Sequence, residues 1–271
     1  MSAVVNAPEQ WRQHLPQLGP ESNKYTRGHV VVYGGYPMTG AARLAARTAA
    51  RAGAGMVSIA TSPDAADSYL ASVESIMVKP VVDAAAFLQL VSADKVACAV
   101  IGPGAGVGAV TREMVQAGLS TGKPLVLDAD ALTSFAEDPD ELFAATHGKC
   151  VVTPHDGEFA RLFSAGDTRE ERAAAAARSC RSVVVLKGAH TVIAAPNGDV
   201  VVNHNAAPSL ATAGSGDVLA GIIAALMAGG MTPFDAACAA VWVHGEAARI
   251  GPPGLIADDL PELVAAVLAS F

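Results

Sequence analysis

Short apolar runs rich in β-branched residues recur along the chain, separated by longer alanine-rich stretches. The runs predict strands at 29–33, 56–60, 97–101, 124–128, 150–153 and 182–186. None alternates strictly between apolar and polar, as expected of parallel strands buried on both faces. The intervening stretches predict helices at 40–52, 63–71, 84–92, 110–119, 156–163 and 169–179. The rhythm then changes. Residues 191–195 and 199–203 flank Pro196-Asn197-Gly198, a strong turn, so an antiparallel hairpin is expected at the sheet edge. Helices at 214–228, 233–250 and 257–269 complete the pattern. With no linker or repeat, residues 1–271 are expected to form one α/β domain, a mostly parallel sheet with helices on both faces.

Ligands of such sheets lie beyond the carboxyl ends of the strands. Those positions hold Gly34-Gly35, Gly102-Pro103-Gly104-Ala105-Gly106, Asp128-Ala129-Asp130, Thr153-Pro154-His155 and Lys187-Gly188. The most informative segment is Ala211-Thr212-Ala213-Gly214-Ser215-Gly216-Asp217, a glycine-rich loop entering an apolar helix. A helix start leaves backbone N–H groups unpaired and positively polarised, and glycine lets a phosphate come close. Asp217 would repel that phosphate, which suits a base for a reacting hydroxyl or a metal-positioning group; the plain alternative is an acid placed for the helix dipole. Asp128 and Asp130 suit a hydrated magnesium ion or helix capping. His155 suits a ligand contact or a structural hydrogen bond, with Glu158 in the first turn of the next helix. Lys187, Gly188, Ala189, His190 and Thr191 form a tight turn able to bind a diphosphate, or a plain β-turn. Asn203, His204 and Asn205 supply polar pocket walls or simply end the hairpin.

Composition narrows the classes. The chain of 271 residues is 51% apolar, with 26 glycines, enough for a large core. A formal charge of −8 with dispersed basic residues argues against nucleic-acid binding. Cys98, Cys150, Cys180 and Cys238 have no paired spacing, so reduced thiols are expected. Residues 1–17 lack a basic start with an apolar core, and no apolar run is long enough for a membrane span, so a cytoplasmic protein is expected. Gly104-Ala105-Gly106-Val107-Gly108-Ala109, with Asp128 at the end of the next strand, fits a relaxed dinucleotide fingerprint, so a Rossmann-type oxidoreductase is a competing reading. It leaves the loop at Asp217 unexplained. No Gly-x4-Gly-Lys-Ser/Thr loop is present.

Taken in order, these motifs resemble the NAD(P)H-hydrate dehydratase family of the ribokinase-like superfamily. The likeness runs from Asn23-Lys24-Tyr25-Thr26-Arg27-Gly28-His29 to the last helix. Its most specific parts are Gly34-Gly35 with Gly40-Ala41-Ala42, Arg51-Ala52-Gly53-Ala54-Gly55, Gly102 to Gly106, Asp128-Ala129-Asp130-Ala131-Leu132, Thr153 to Phe159, Leu186-Lys187-Gly188 and Gly214-Ser215-Gly216-Asp217. The resemblance implies dehydration of hydrated NADH or NADPH driven by ADP or ATP, with magnesium as phosphate partner and no assignable ligand set. Asp217 would be the base for the C6 hydroxyl, and the amides of Gly214, Ser215 and Gly216 would hold the transferring phosphate. The hydrated cofactor would rest against Ala42, Gly104, Gly106, His155 and Asp217, and the nucleotide against the 187–191 turn and Gly216. Ala213 departs from a glycine usual in the family, and Ala105 from leucine or isoleucine. The resemblance also implies a tetramer. Many relatives carry an amino-terminal epimerase domain for which this length leaves no room, so a separate epimerase is implied as metabolic partner. A ribokinase-like vitamin kinase, or a silent nucleotide-binding subunit, would share the Gly-Ser-Gly-Asp loop.

Overall fold

A computed structural model describes residues 4–164 and 166–271. Ten strands form one sheet: β1 (Val4–Val5), β2 (His29–Tyr33), β3 (Met56–Thr61), β4 (Met77–Pro80), β5 (Val96–Ile101), β6 (Leu125–Leu127), β7 (Cys150–Val152), β8 (Val183–Leu186), β9 (Thr191–Ala194) and β10 (Val200–Asn203). Their order is β1-β10-β9-β8-β7-β6-β5-β2-β3-β4. Pairing is parallel from β4 across to β8; β9 runs antiparallel to both β8 and β10, and β1 pairs with β10 in parallel. The expected hairpin is therefore present, with β1 added outside it.

Alternation along each strand explains the continuous apolar runs. Val30, Val32, Cys98 and Val100 face one core, while Val31, Tyr33, Ala99 and Ile101 face another across the sheet. Each face needs its own helical cover, so β2 is buried throughout and β5 at every position but Ala97. Helices Thr39–Arg51, Ser215–Ala228, Pro233–Ile250 and Leu260–Leu268 supply apolar residues to the first core, and Ala84–Ser92, Ala109–Ser120, Asp156–Leu162 and Arg169–Ser179 to the second. Ser215–Ala228 is buried at every position from Val218 to Ala228, which is why its sequence shows no polar face. Gly221 lets it approach Thr39–Arg51: a Cβ there would overlap the Ala45 carbonyl oxygen. Among the described residues no helix is long and apolar enough to cross a membrane.

Four elements carry no clear pattern in the sequence. Strand β1 has two residues, and β4 contains Lys79 and Pro80, which suit only an edge. Helices Asp130–Thr133 and Pro139–Ala145 are one to two turns long, too short for a 3.6-residue period to register. The second begins with a signal that is visible in hindsight, Asp138 accepting from the Glu141 amide with Pro139 behind it.

Strand order reverses between β2 and β5, and there the loops after both strands touch. A Cβ on Gly35 would overlap the Gly104 carbonyl, and one on Gly102 (φ +132°) the Asp128 carbonyl. Replacing Gly102 with alanine is expected to cost about 3–5 kcal/mol in urea denaturation, because both conformation and contact exclude a side chain; a loss below 1 kcal/mol would mean the loop relaxes freely.

Candidate functional site

Beyond β6, β7 and β8 lies a cleft of about 930 Å³ lined by residues from five segments, among them Asp128, His155, Glu158, Lys187, Gly216 and Asp217. Three strand ends meet at its floor. Lys187 Nζ donates to Asp128 Oδ1 at 2.6 Å, and Thr153 Oγ1 donates to the same oxygen at 2.7 Å. Glu158 Oε2 stands 4.0 Å from the ammonium. Ala129 takes up the turn between the two aspartates at φ 47°, a left-handed conformation unusual for alanine. The reversal sends Asp128 inward and leaves Asp130 Oδ2 to accept from the Gly106 amide at 2.8 Å.

The glycine-rich loop forms the opposite wall. Gly214 has φ +91° and caps helix Ser215–Ala228, and a Cβ there would lie 2.8 Å from Leu44 Cδ1. Gly216 faces the ion pair, where a Cβ would stand 3.3 Å from Lys187 Nζ. The amides of Gly214, Gly216 and Asp217 find no acceptor among the described residues. These unpaired donors at the start of a buried helix, next to an ammonium, make an anion hole. Asp217 sits in the first turn. Burial first, then the charge on Asp128, raises its pKa from 3.8 to about 7; Lys187 opposes the rise and Asp130 adds to it. Burial lowers the Lys187 pKa, but Asp128, Glu158 and Asp217 more than offset this and the net shift is upward. Burial likewise raises Glu158 above the usual carboxylate range, with Lys187 opposing.

The 187–191 turn is held from behind. Arg169 Nη2 donates to the carbonyls of Lys187 at 2.8 Å and Leu186 at 3.3 Å, while Nη1 grips both Asp156 oxygens at 2.7 and 2.8 Å. A Cβ at Gly188 would lie 2.7 Å from Arg169 Nη2 and push the guanidinium aside. His155 Nδ1 accepts from the amides of Gly157 and Glu158, and Glu158 returns a bond to the His155 amide, so this histidine caps its helix while its exposed ring borders the cleft. The structural hydrogen bond expected of His155 is thus present.

The structure brings Asp217, Gly214, Ser215, Gly216, Lys187, Gly188, Ala189, Thr191 and His155 to one cleft. Gly104 and Gly106 lie at the neighbouring switch point. Ala42 is fully buried, so its side chain offers no surface there. His190 is exposed at the rim against His204. Arg169 and His244 were not legible as site residues. His244 lines the cleft; burial first, with help from Lys187, depresses its pKa to about 4, against a backbone hydrogen bond with Ser215. The dinucleotide-fingerprint reading does not survive the geometry. The amides of Gly106 and Gly108 are bonded to Asp130 and Ser134, and Asp128, the acid that would read a ribose, is taken by Lys187 and Thr153. Among the described residues no three of His, Cys, Asp and Glu gather closely enough to hold a metal ion by themselves.

A raised carboxylate pKa also carries a stability signature. The folded-state value for Asp217 lies above its unfolded value, so its contribution is intact at low pH and is lost as pH rises through about 7. Asp217→Asn is therefore expected to raise Tm at pH 8 by roughly 2–6 °C, with the gain shrinking as pH falls toward 4. A thermal-melt series in which the gain is the same at every pH would remove the assignment.

Comparison with known proteins agrees with this geometry. A family described as NAD(P)H-hydrate dehydratase matches residues 29–256. The chain is 39% identical to a bifunctional NAD(P)H-hydrate repair enzyme of Moorella thermoacetica, over 96% of this chain and 53% of that protein. It thus spans about half the length of the bifunctional relatives it matches. It is 37% identical to an ADP-dependent (S)-NAD(P)H-hydrate dehydratase of Neisseria meningitidis, over 85% of this chain and 79% of that one. An ADP/ATP-dependent NAD(P)H-hydrate dehydratase of Bacillus subtilis, co-crystallised with ATP and Mg²⁺, superposes with a TM-score of 0.84 at 29% identity, covering 100% of this chain and 99% of the other. The architecture is that of ribokinase-like proteins.

Proposed function

Because the chain belongs to the NAD(P)H-hydrate dehydratase family, we propose that it returns the S form of hydrated NADH and NADPH to the intact coenzymes, using ADP or ATP and releasing phosphate with AMP or ADP. The observation that carries this reading is Asp217, a half-buried carboxylate with a pKa near 7 beside unpaired amides and an ammonium.

Hydroxide is a poor leaving group, and phosphate is a good one. Asp217 takes the proton from the C6 hydroxyl of the hydrated ring as that oxygen attacks the terminal phosphorus of the nucleotide, and the bond to the leaving nucleotide breaks. The amides of Gly214, Gly216 and Asp217 receive charge building on the transferring oxygens. The C6–O bond then breaks, phosphate departs, and loss of the C5 proton restores the double bond. Lys187 and the 187–191 turn hold the polyphosphate, and the loops of Gly104, Gly106 and His155 border the hydrated ring. The residues present fit a magnesium ion that arrives on the nucleotide: Asp128 Oδ2 faces Gly216 and would hold it from the protein side. Such an ion supplies charge neutralisation between phosphate oxygens.

The setting follows the same reading. Four buried, unpaired cysteines support a reducing compartment such as the cytoplasm. Exposed Tyr36, Met38, Val107 and Val110, close to the Gly104 loop, support burial against a second copy in a tetramer. Epimerase activity on the R form completes the repair.

Purified protein given ADP or ATP, Mg²⁺ and hydrated NADH is expected to restore absorbance at the dihydronicotinamide band; nucleotide consumption without recovery, or phosphorylation of vitamin alcohols alone, would overturn the assignment. Asp217→Asn is expected to cut kcat by about 10²–10⁴-fold with nucleotide affinity kept. The basic form of Asp217 reacts, so kcat/KM rises with pH through about 7. Removing the neighbouring ammonium in Lys187→Met moves that limb to higher pH; an unshifted limb assigns it to another group. Arg169→Gln is expected to raise the nucleotide KM several-fold at similar kcat, with Arg169→Lys intermediate; an equal fall in kcat would place Arg169 in the chemistry instead.

A further inference from the structure

Two histidines meet at the cleft rim, one of them, His190, in the turn proposed to hold the polyphosphate. His190 immediately precedes β9 and His204 immediately follows β10, whose pairing of Thr191 with Asn203 sets the two residues opposite each other. Their Nδ1 atoms are 3.0 Å apart, the rings cross at 67° with centroids 4.9 Å apart, and both side chains are exposed. Only one of the two nitrogens carries the shared proton, so the other presents a lone pair.

We propose that His190 and His204 form a bidentate site for a divalent transition-metal ion of the imidazole-preferring class, Ni²⁺ or Cu²⁺. Metal–imidazole bonds are about 2.0–2.1 Å, so two nitrogens at right angles around one ion stand about 2.9 Å apart, against about 3.4 Å for a tetrahedral pair. The observed 3.0 Å is the length of the shared hydrogen bond, and it already holds the two nitrogens near the spacing of the right-angle edge of square-planar or octahedral coordination. Displacing the single bridging proton and turning the exposed rings brings both lone pairs onto the ion. Strand pairing holds the two backbones in register, so little ordering accompanies binding. The remaining positions belong to water, because among the described residues no third His, Cys, Asp or Glu joins the pair. All four cysteines are buried and do not compete. Ala189, Thr191 and Asn203, the immediate neighbours, line the nucleotide cleft, so an ion here stands at its mouth.

Calorimetric titration of NiCl₂ into untagged, EDTA-treated protein tests this without reference to turnover. The expected result is one site per chain, weakened roughly ten-fold or more by His190→Ala and equally by His204→Ala, and unchanged by His14→Ala, an exposed histidine elsewhere. Circular dichroism checks that the exposed-site variants stay folded. Binding that persists in both rim variants, or no saturable binding in the intact chain, would overturn the proposal.

Discussion

The contact on which the site depends is the largely buried ion pair between Lys187 and Asp128. It joins the ends of β6 and β8 at 2.6 Å, and Thr153 brings β7 to the same carboxylate oxygen. Removing one partner of such a pair typically costs about 3–5 kcal/mol, since the other is left charged and unpaired away from water. Its value lies in placement. Asp128 is steered inward by the left-handed backbone at Ala129, Lys187 is steered by Arg169 on its own carbonyl, and Gly216 leaves room for the ammonium to face the helix start.

That arrangement also sets the acid–base chemistry. Three carboxylates, Asp128, Glu158 and Asp217, crowd around one ammonium in a site partly cut off from solvent. Asp128 takes the short contact, so Asp217 is left with burial and a like charge as neighbours and its proton is held to about pH 7. A carboxylate poised near neutrality follows from how one cation is shared among three anions.

The sheet separates two jobs in space. Loops at the switch between β2 and β5 pack glycine against backbone. Loops after β6, β7 and β8 bring Asp128, Glu158 and Lys187 together. Helix Ser215–Ala228 packs beneath both, and its burial from Val218 onward anchors the loop at its start.

Much of this was legible in the chain itself. Period and length give the long strands and helices, because a two-faced buried strand and an alanine-rich helix each leave an unmistakable local pattern. The Gly-Ser-Gly-Asp loop pointed to a helix start with unpaired amides, and the ordered motifs pointed to the family. Strand β1, β4 and the two short helices after β6 escaped notice, being too short or too polar for a period. Local spacing could not reveal that Asp128 pairs with Lys187, that Arg169 braces the turn, that Ala42 is sealed in the core, or that His190 meets His204. These depend on residues between 14 and 59 positions apart becoming neighbours, and only the closing of the sheet, which fixes strand order and register at once, decides which side chains share a charge, a proton or a cavity.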